Sequence, residues 1–151
     1  MRKDLTVLVV DDEPVIRDAM KHLLEHCGCE VDAVDSGSAA MARLEQRPFD
    51  LLITDFSMPG MSGDQLVTRV RKLFPNQRII MATGYVDEYK VFGEPTALVN
   101  GLLYKPFSFS QLLDAIDNVL EQSKNGAMPS PPTPGETMIA NESRLAPAPK
   151  P

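Results

Sequence analysis

Five apolar runs of strand length, separated by stretches with a helical period, constrain this chain more than any other feature. The runs are "LTVLVV" (5–10), "EVDAV" (30–34), "LLIT" (51–54), "RIIMAT" (78–83) and "GLLY" (101–104). Only the second alternates, as a strand near a sheet edge does. Continuous apolar strands belong to a sheet covered on both faces, and strand–helix alternation makes that sheet parallel. Right-handed crossovers leave few topologies. The leading one is a doubly wound five-stranded parallel sheet in the order 2-1-3-4-5, which binds ligands outside the carboxyl ends of strands one and three.

The intervening segments carry helix signals. "PVIRDAMKHLLEHC" (14–27) places Val15, Ile16, Ala19, Met20, Leu23, Leu24 and Cys27 on a helical period, with Pro14 in the first turn. "SAAMARLEQR" (38–47) is entered through Ser36 and Gly37. Ser62-x-x-Gln65 is a capping box bracketed by Met61 and Leu66, and its helix runs to about Phe74 and stops at Pro75. Ser108-x-x-Gln111, between Phe107 and Leu112, opens the last helix. The segment from Tyr85 to Asn100 holds Gly93 and Pro95, so any helix there is short or irregular.

A composition change after Ser123 divides the chain. Seven of the last 28 residues are Pro and no apolar period remains, so 1–122 is expected to be the folded domain and 123–151 a Pro-rich disordered tail or linker. The tail is too short for an output module. A net charge of −6 argues against direct nucleic-acid binding. The opening apolar run is too short for membrane insertion or a signal sequence. Cys27 and Cys29 form neither a disulfide framework nor a zinc pattern, and reduced thiols point to the cytoplasm.

Polar residues sit where the topology places ligands. The first strand ends in Asp11 and Asp12, the third in Asp55, the fourth in Thr83 and the fifth in Lys105. Each alone reads as a turn or cap residue; together, in this order, they read as a site. Strands lie about 4.8 Å apart. A short threonine therefore suffices one strand from Asp55, while a long lysine is needed two strands away. Three gathered carboxylates exceed one lysine in charge, so the cluster calls for a hard divalent cation, and Mg²⁺ suits few protein ligands. A phosphoryl group would complete the metal's ligand set and pair with Lys105 and Thr83.

"VLVVDDE" (7–13), "DLLITDFSMPGMSGDQL" (50–66), "IIMATGY" (79–85) and "LLYKPF" (102–107), in this order and spacing, resemble the receiver domain of two-component response regulators, a flavodoxin-like (βα)₅ fold, from about residue 4 to 122. The resemblance implies that Asp55 is the phosphoacceptor. It implies that Asp12, Asp55 and the backbone carbonyl of Ser57 bind Mg²⁺ directly, and that Asp11 acts mostly through water. Thr83 and Lys105 would hold the phosphoryl group. Met58 and Pro59 would shape the loop after the acceptor, Gly63 would open the next helix, and the Lys105–Pro106 bond would be cis. The donor would be the phosphohistidine of a sensor histidine kinase or a histidine phosphotransfer protein, with a downstream protein reading the switched state. The domain would promote its own phosphorylation and slow autodephosphorylation without otherwise being an enzyme.

The sequence departs from the family at one position. The aromatic usually found three residues before the lysine, which swings inward on activation, is Leu102 here. Tyr104 is aromatic, but strand alternation points it away from the face of Leu103. Ser57 and Tyr85 occupy positions that modulate dephosphorylation in the family. His22 and His26, four apart on the first helix, are expected to be solvated. That helix's wide apolar stripe is expected to leave a part exposed for docking a kinase. A pseudo-receiver that binds partners without being phosphorylated is the alternative, favoured by Leu102. An aspartyl-phosphate phosphatase would need Asp-x-Asp where "DDEP" stands, and an FMN binder would not carry an acidic first loop.

Overall fold

The computed structural model describes residues 4–84 and 98–124. The strands are β1 (Thr6–Val10), β2 (Glu30–Val34), β3 (Leu51–Asp55), β4 (Ile79–Thr83) and β5 (Gly101–Tyr104). The helices among the described residues are α1 (Pro14–His26), α2 (Gly37–Gln46), α3 (Gly63–Leu73) and α4 (Phe109–Lys124). All neighbouring strands pair in parallel, in the order β2-β1-β3-β4-β5. The expected doubly wound topology is therefore present. The segment 85–97, with Tyr85, and the tail from 125 lie outside the described residues.

Burial explains why the apolar runs are continuous. Every residue of β3 and β4 is buried, and successive side chains feed two different cores. Leu8, Leu52, Leu66, Val67, Val70 and Met81 belong to the core under α2 and α3. Val7, Val9, Leu51, Ile53, Ile80, Leu112 and Ile116 belong to the core under α1 and α4. Leu102 and Tyr104 pack on the first core and Leu103 in the second, as strand alternation requires.

Local signals set the helix starts. Ser36 caps α2 by accepting from the Ala39 N–H at 3.1 Å. Ser108 and Gln111 make both halves of a capping box, at 3.0 and 2.8 Å. At α3, Gln65 accepts from the Ser62 N–H at 3.1 Å, while the Ser62 hydroxyl reaches the Asp64 carboxylate at 2.5 Å. The next residue fixes where α3 meets the sheet. A Cβ on Gly63 would collide with the Asp55 carbonyl oxygen and lie 2.7 Å from the Phe56 Cα. The Gly63 N–H donates to the Phe56 carbonyl at 2.8 Å, so the helix begins directly against the end of β3. No described helix is long and apolar enough to cross a membrane.

Candidate phosphoacceptor and metal site

The parallel register brings four strand ends to one edge. Asp11 follows β1, and its N–H continues the β1–β2 ladder to the Val34 carbonyl at 3.1 Å. Asp55 closes β3, in register with Ala82 of β4. Thr83 closes β4, and its carbonyl accepts from the Lys105 N–H at 2.8 Å just past β5. Asp55 is 6% exposed and Thr83 1%, so both are buried where their strands end.

Carboxylate oxygens of Asp11, Asp12 and Asp55 all lie within 4.8 Å of one another. A pair of charges about 4 Å apart repels by roughly 4 kcal/mol at an effective dielectric near 20. Lys105 answers part of this. Its Nζ is 2.8 Å from Asp55 Oδ1 and 3.6 Å from Asp11 Oδ2. The lysine stem thus spans the two strand spacings that separate β5 from β3.

The remaining imbalance appears in the titration of Asp55. Burial pushes the Asp55 carboxyl up to about 6; the hydrogen bond and charge of Lys105 oppose that shift, and Asp11 and Asp12 reinforce it. Burial pulls Lys105 down, but the hydrogen bond and charge of Asp55, with Asp11 and Glu13 behind it, outweigh this and hold its ammonium above the ordinary value. One cation against three crowded carboxylates is a donor set that fits a hard divalent ion, with oxygen ligands and room for water on half-exposed Asp12.

The β3–α3 loop completes the rim. Ser57 and Pro59 are exposed, Met58 is buried in the α2–α3 core, and Gly60 turns the chain at φ 79°. The Lys105–Pro106 bond is cis, with Pro106 exposed. Leu102 is buried in the core, two residues along β5 from half-buried Tyr104. His22 and His26 are both exposed on α1. The structure adds a residue that motif reading missed: Arg17 of α1 donates to the Asp11 main-chain carbonyl at 2.8 Å. A long basic side chain one turn into the helix after "DDE" was the signal for it.

The family model described as response regulator receiver domain matches residues 7–117. The chain belongs to the response regulator receiver family. This receiver is 30% identical over 125 residues to the chemotaxis protein CheY-3 of Vibrio cholerae, covering 81% of this chain and 96% of that protein. It is 32% identical to the sensor kinase CckA of Brucella abortus, over 78% of this chain but 13% of the kinase. Among solved structures it is similar to the response regulator TrrA of Thermotoga maritima in complex with Mg(2+)-BeF. That match has a TM-score of 0.70 and 31% identity, covering 76% of this chain and 98% of that one.

Proposed function

We propose that this receiver accepts a phosphoryl group from a phosphohistidine onto Asp55 and so switches the surface it offers to a partner. The observation that carries the reading is the buried Asp55 carboxylate at the sheet edge, with Lys105 at 2.8 Å and two further carboxylates beside it. Above pH about 6 Asp55 is ionised and nucleophilic. A carboxylate oxygen attacks phosphorus, the bond from phosphorus to the histidine nitrogen breaks, and the imidazole leaves with that electron pair. Lys105 gives up part of its bond to Asp55 and pairs with a phosphoryl oxygen, while the Thr83 hydroxyl donates to another. The Asp11, Asp12 and Asp55 carboxylates and the Ser57 carbonyl would hold Mg²⁺, which when bound supplies positive charge toward the phosphoryl oxygens. The same site promotes slow loss of the phosphoryl group to water.

The donor class follows from surface as well as chemistry. Val15 is 81% exposed beside the acidic edge, and Ala19 and Leu23 are exposed farther along α1. An apolar, solvent-facing stripe next to the acceptor suits the helices of a sensor histidine kinase or a histidine phosphotransfer protein in the cytoplasm. The similarity to part of a sensor kinase is consistent with such partners. Val15→Asp should slow transfer from a histidine-phosphorylated partner at least several-fold and spare a small-molecule phosphodonor; equal loss with both donors would refute the docking role.

The deciding experiment is intact mass after incubation with Mg²⁺ and acetyl phosphate. Wild type should gain one phosphoryl mass and Asp55→Asn none. The pseudo-receiver reading rests on buried Leu102 at the position of the usual aromatic, and it expects no gain from either protein.

A further inference from the structure

The crowded carboxylates pose a problem of geometry as well as charge. Asp11 and Asp12 leave the chain from one turn, and their mutual repulsion and that of Asp55 tend to splay it. The turn is tied at several points. The Asp11 N–H bonds Val34 at 3.1 Å, and Asp11 Oδ1 accepts from the Glu13 N–H at 2.9 Å. The Arg17 N–H bonds the Glu13 carbonyl at 2.9 Å, as the first helical turn requires. One further tie comes from a side chain of α1. Arg17 Nη1 donates to the Asp11 carbonyl at 2.8 Å, spending its charge on main chain beside a cluster of carboxylates.

That carbonyl belongs to the planar peptide unit joining the Cα atoms of Asp11 and Asp12. Holding its oxygen fixes the rotation of the unit, and with it the directions in which both carboxylates depart. We infer that Arg17 is a positioning residue for the acidic site: by anchoring the Asp11–Asp12 peptide to α1 it sets the affinity of the carboxylate cluster for a divalent cation. Arg17 touches neither the cation nor the phosphoryl group in this role. The inference rests on the proposed Mg²⁺ site.

The test uses the full chain, with Arg17→Met removing the donor and Arg17→Lys keeping one. Mg²⁺ affinity is read by calorimetric titration with MgCl₂, and by the Mg²⁺-dependent increment in melting temperature. Loss of such an outer tie is expected to weaken Mg²⁺ binding about tenfold in Arg17→Met, with Arg17→Lys in between. Phosphorylation by acetyl phosphate should need correspondingly more Mg²⁺ yet reach the wild-type rate at saturation. Merely lowered stability would shift the melting temperature alike with and without Mg²⁺ and leave the affinity of the folded protein unchanged. If Arg17→Met does not fold, the graded loss in Arg17→Lys carries the test. Wild-type affinity in the variants, or a lower rate at saturating Mg²⁺, overturns the positioning role. Failure of wild type itself to bind Mg²⁺ overturns the proposed metal site along with it.

Discussion

The two ends of the parallel sheet treat polar groups in opposite ways. At the amino end, polar groups are matched, from exposed Asp50 to buried Asn100. Asp50 Oδ2 accepts from both the N–H and the hydroxyl of Thr6, at 2.9 and 3.0 Å. Arg71 distributes its donors over the carbonyls of Leu98, Pro75 and Gln77 and the Asn100 side chain, and Asn100 Oδ1 also accepts from the Ile79 N–H at 2.8 Å. At the carboxyl end, three carboxylates crowd together and Lys105 pairs with two of them, Asp55 and Asp11. The amino end holds the fold together, and the carboxyl end keeps an unbalanced charge that a cation or a reaction can relieve.

Substitution should therefore have opposite signs at the two ends. The largest effect is expected at Arg71. Arg71→Met strands several partly buried carbonyls at once and should cost about 2–4 kcal/mol in urea unfolding. A cost below about 1 kcal/mol would show that these bonds hold nothing that water cannot.

Asp55→Asn should do the reverse in divalent-free buffer. The folded carboxyl titrates near 6 against an ordinary 3.8, so the folded state binds the proton more tightly than the unfolded chain. This contribution is fully present below pH about 4 and is lost as pH rises to about 6. Above that, the ionised group costs the fold up to about 3 kcal/mol. Asp55→Asn should thus be about 1–3 kcal/mol more stable than wild type at pH 7.5 and about equal at pH 4. Added Mg²⁺ should narrow the gap by stabilising wild type more than the variant. A wild type that is the more stable protein at pH 7.5 without Mg²⁺ would mean that Lys105 already balances the site.

These two ends also differed in how far they could be read in advance. Strand runs, capping boxes and the order of the carboxyl-end residues are local features, and β2 and β5 fall on the expected 30–34 and 101–104. Asp55 proves to be the last residue of β3 itself, one beyond the apolar run, because backbone pairing continues after hydrophobicity stops. The amino-end network was not legible. Arg71 meets Leu98 and Asn100 from 27 and 29 residues away, and no periodicity couples such positions. Gly63 was expected to open α3, yet its reason, contact with the Asp55 and Phe56 backbone, needed the fold. Arg17 was passed over because its partner is a carbonyl, which every residue has.

Tyr104 offers the smallest and sharpest comparison, since it stands at the carboxyl end without belonging to the acidic cluster. It pairs in register with Thr83 and packs on the α2–α3 core. Its hydroxyl is buried and, among the described residues, without a hydrogen-bond partner. Burial alone pushes its phenol up. A buried hydroxyl normally contributes only through its bond, so removing an unpartnered one should not cost stability. Tyr104→Phe keeps the ring and should leave stability unchanged or raise it by up to about 1 kcal/mol, read from the urea midpoint at constant slope. The same variant should keep the wild-type rate with acetyl phosphate, because Lys105 and Asp55 are untouched. A loss of more than about 1 kcal/mol would give the hydroxyl a bond of its own. The unsatisfied character of the carboxyl end would then be confined to the three carboxylates and their lysine.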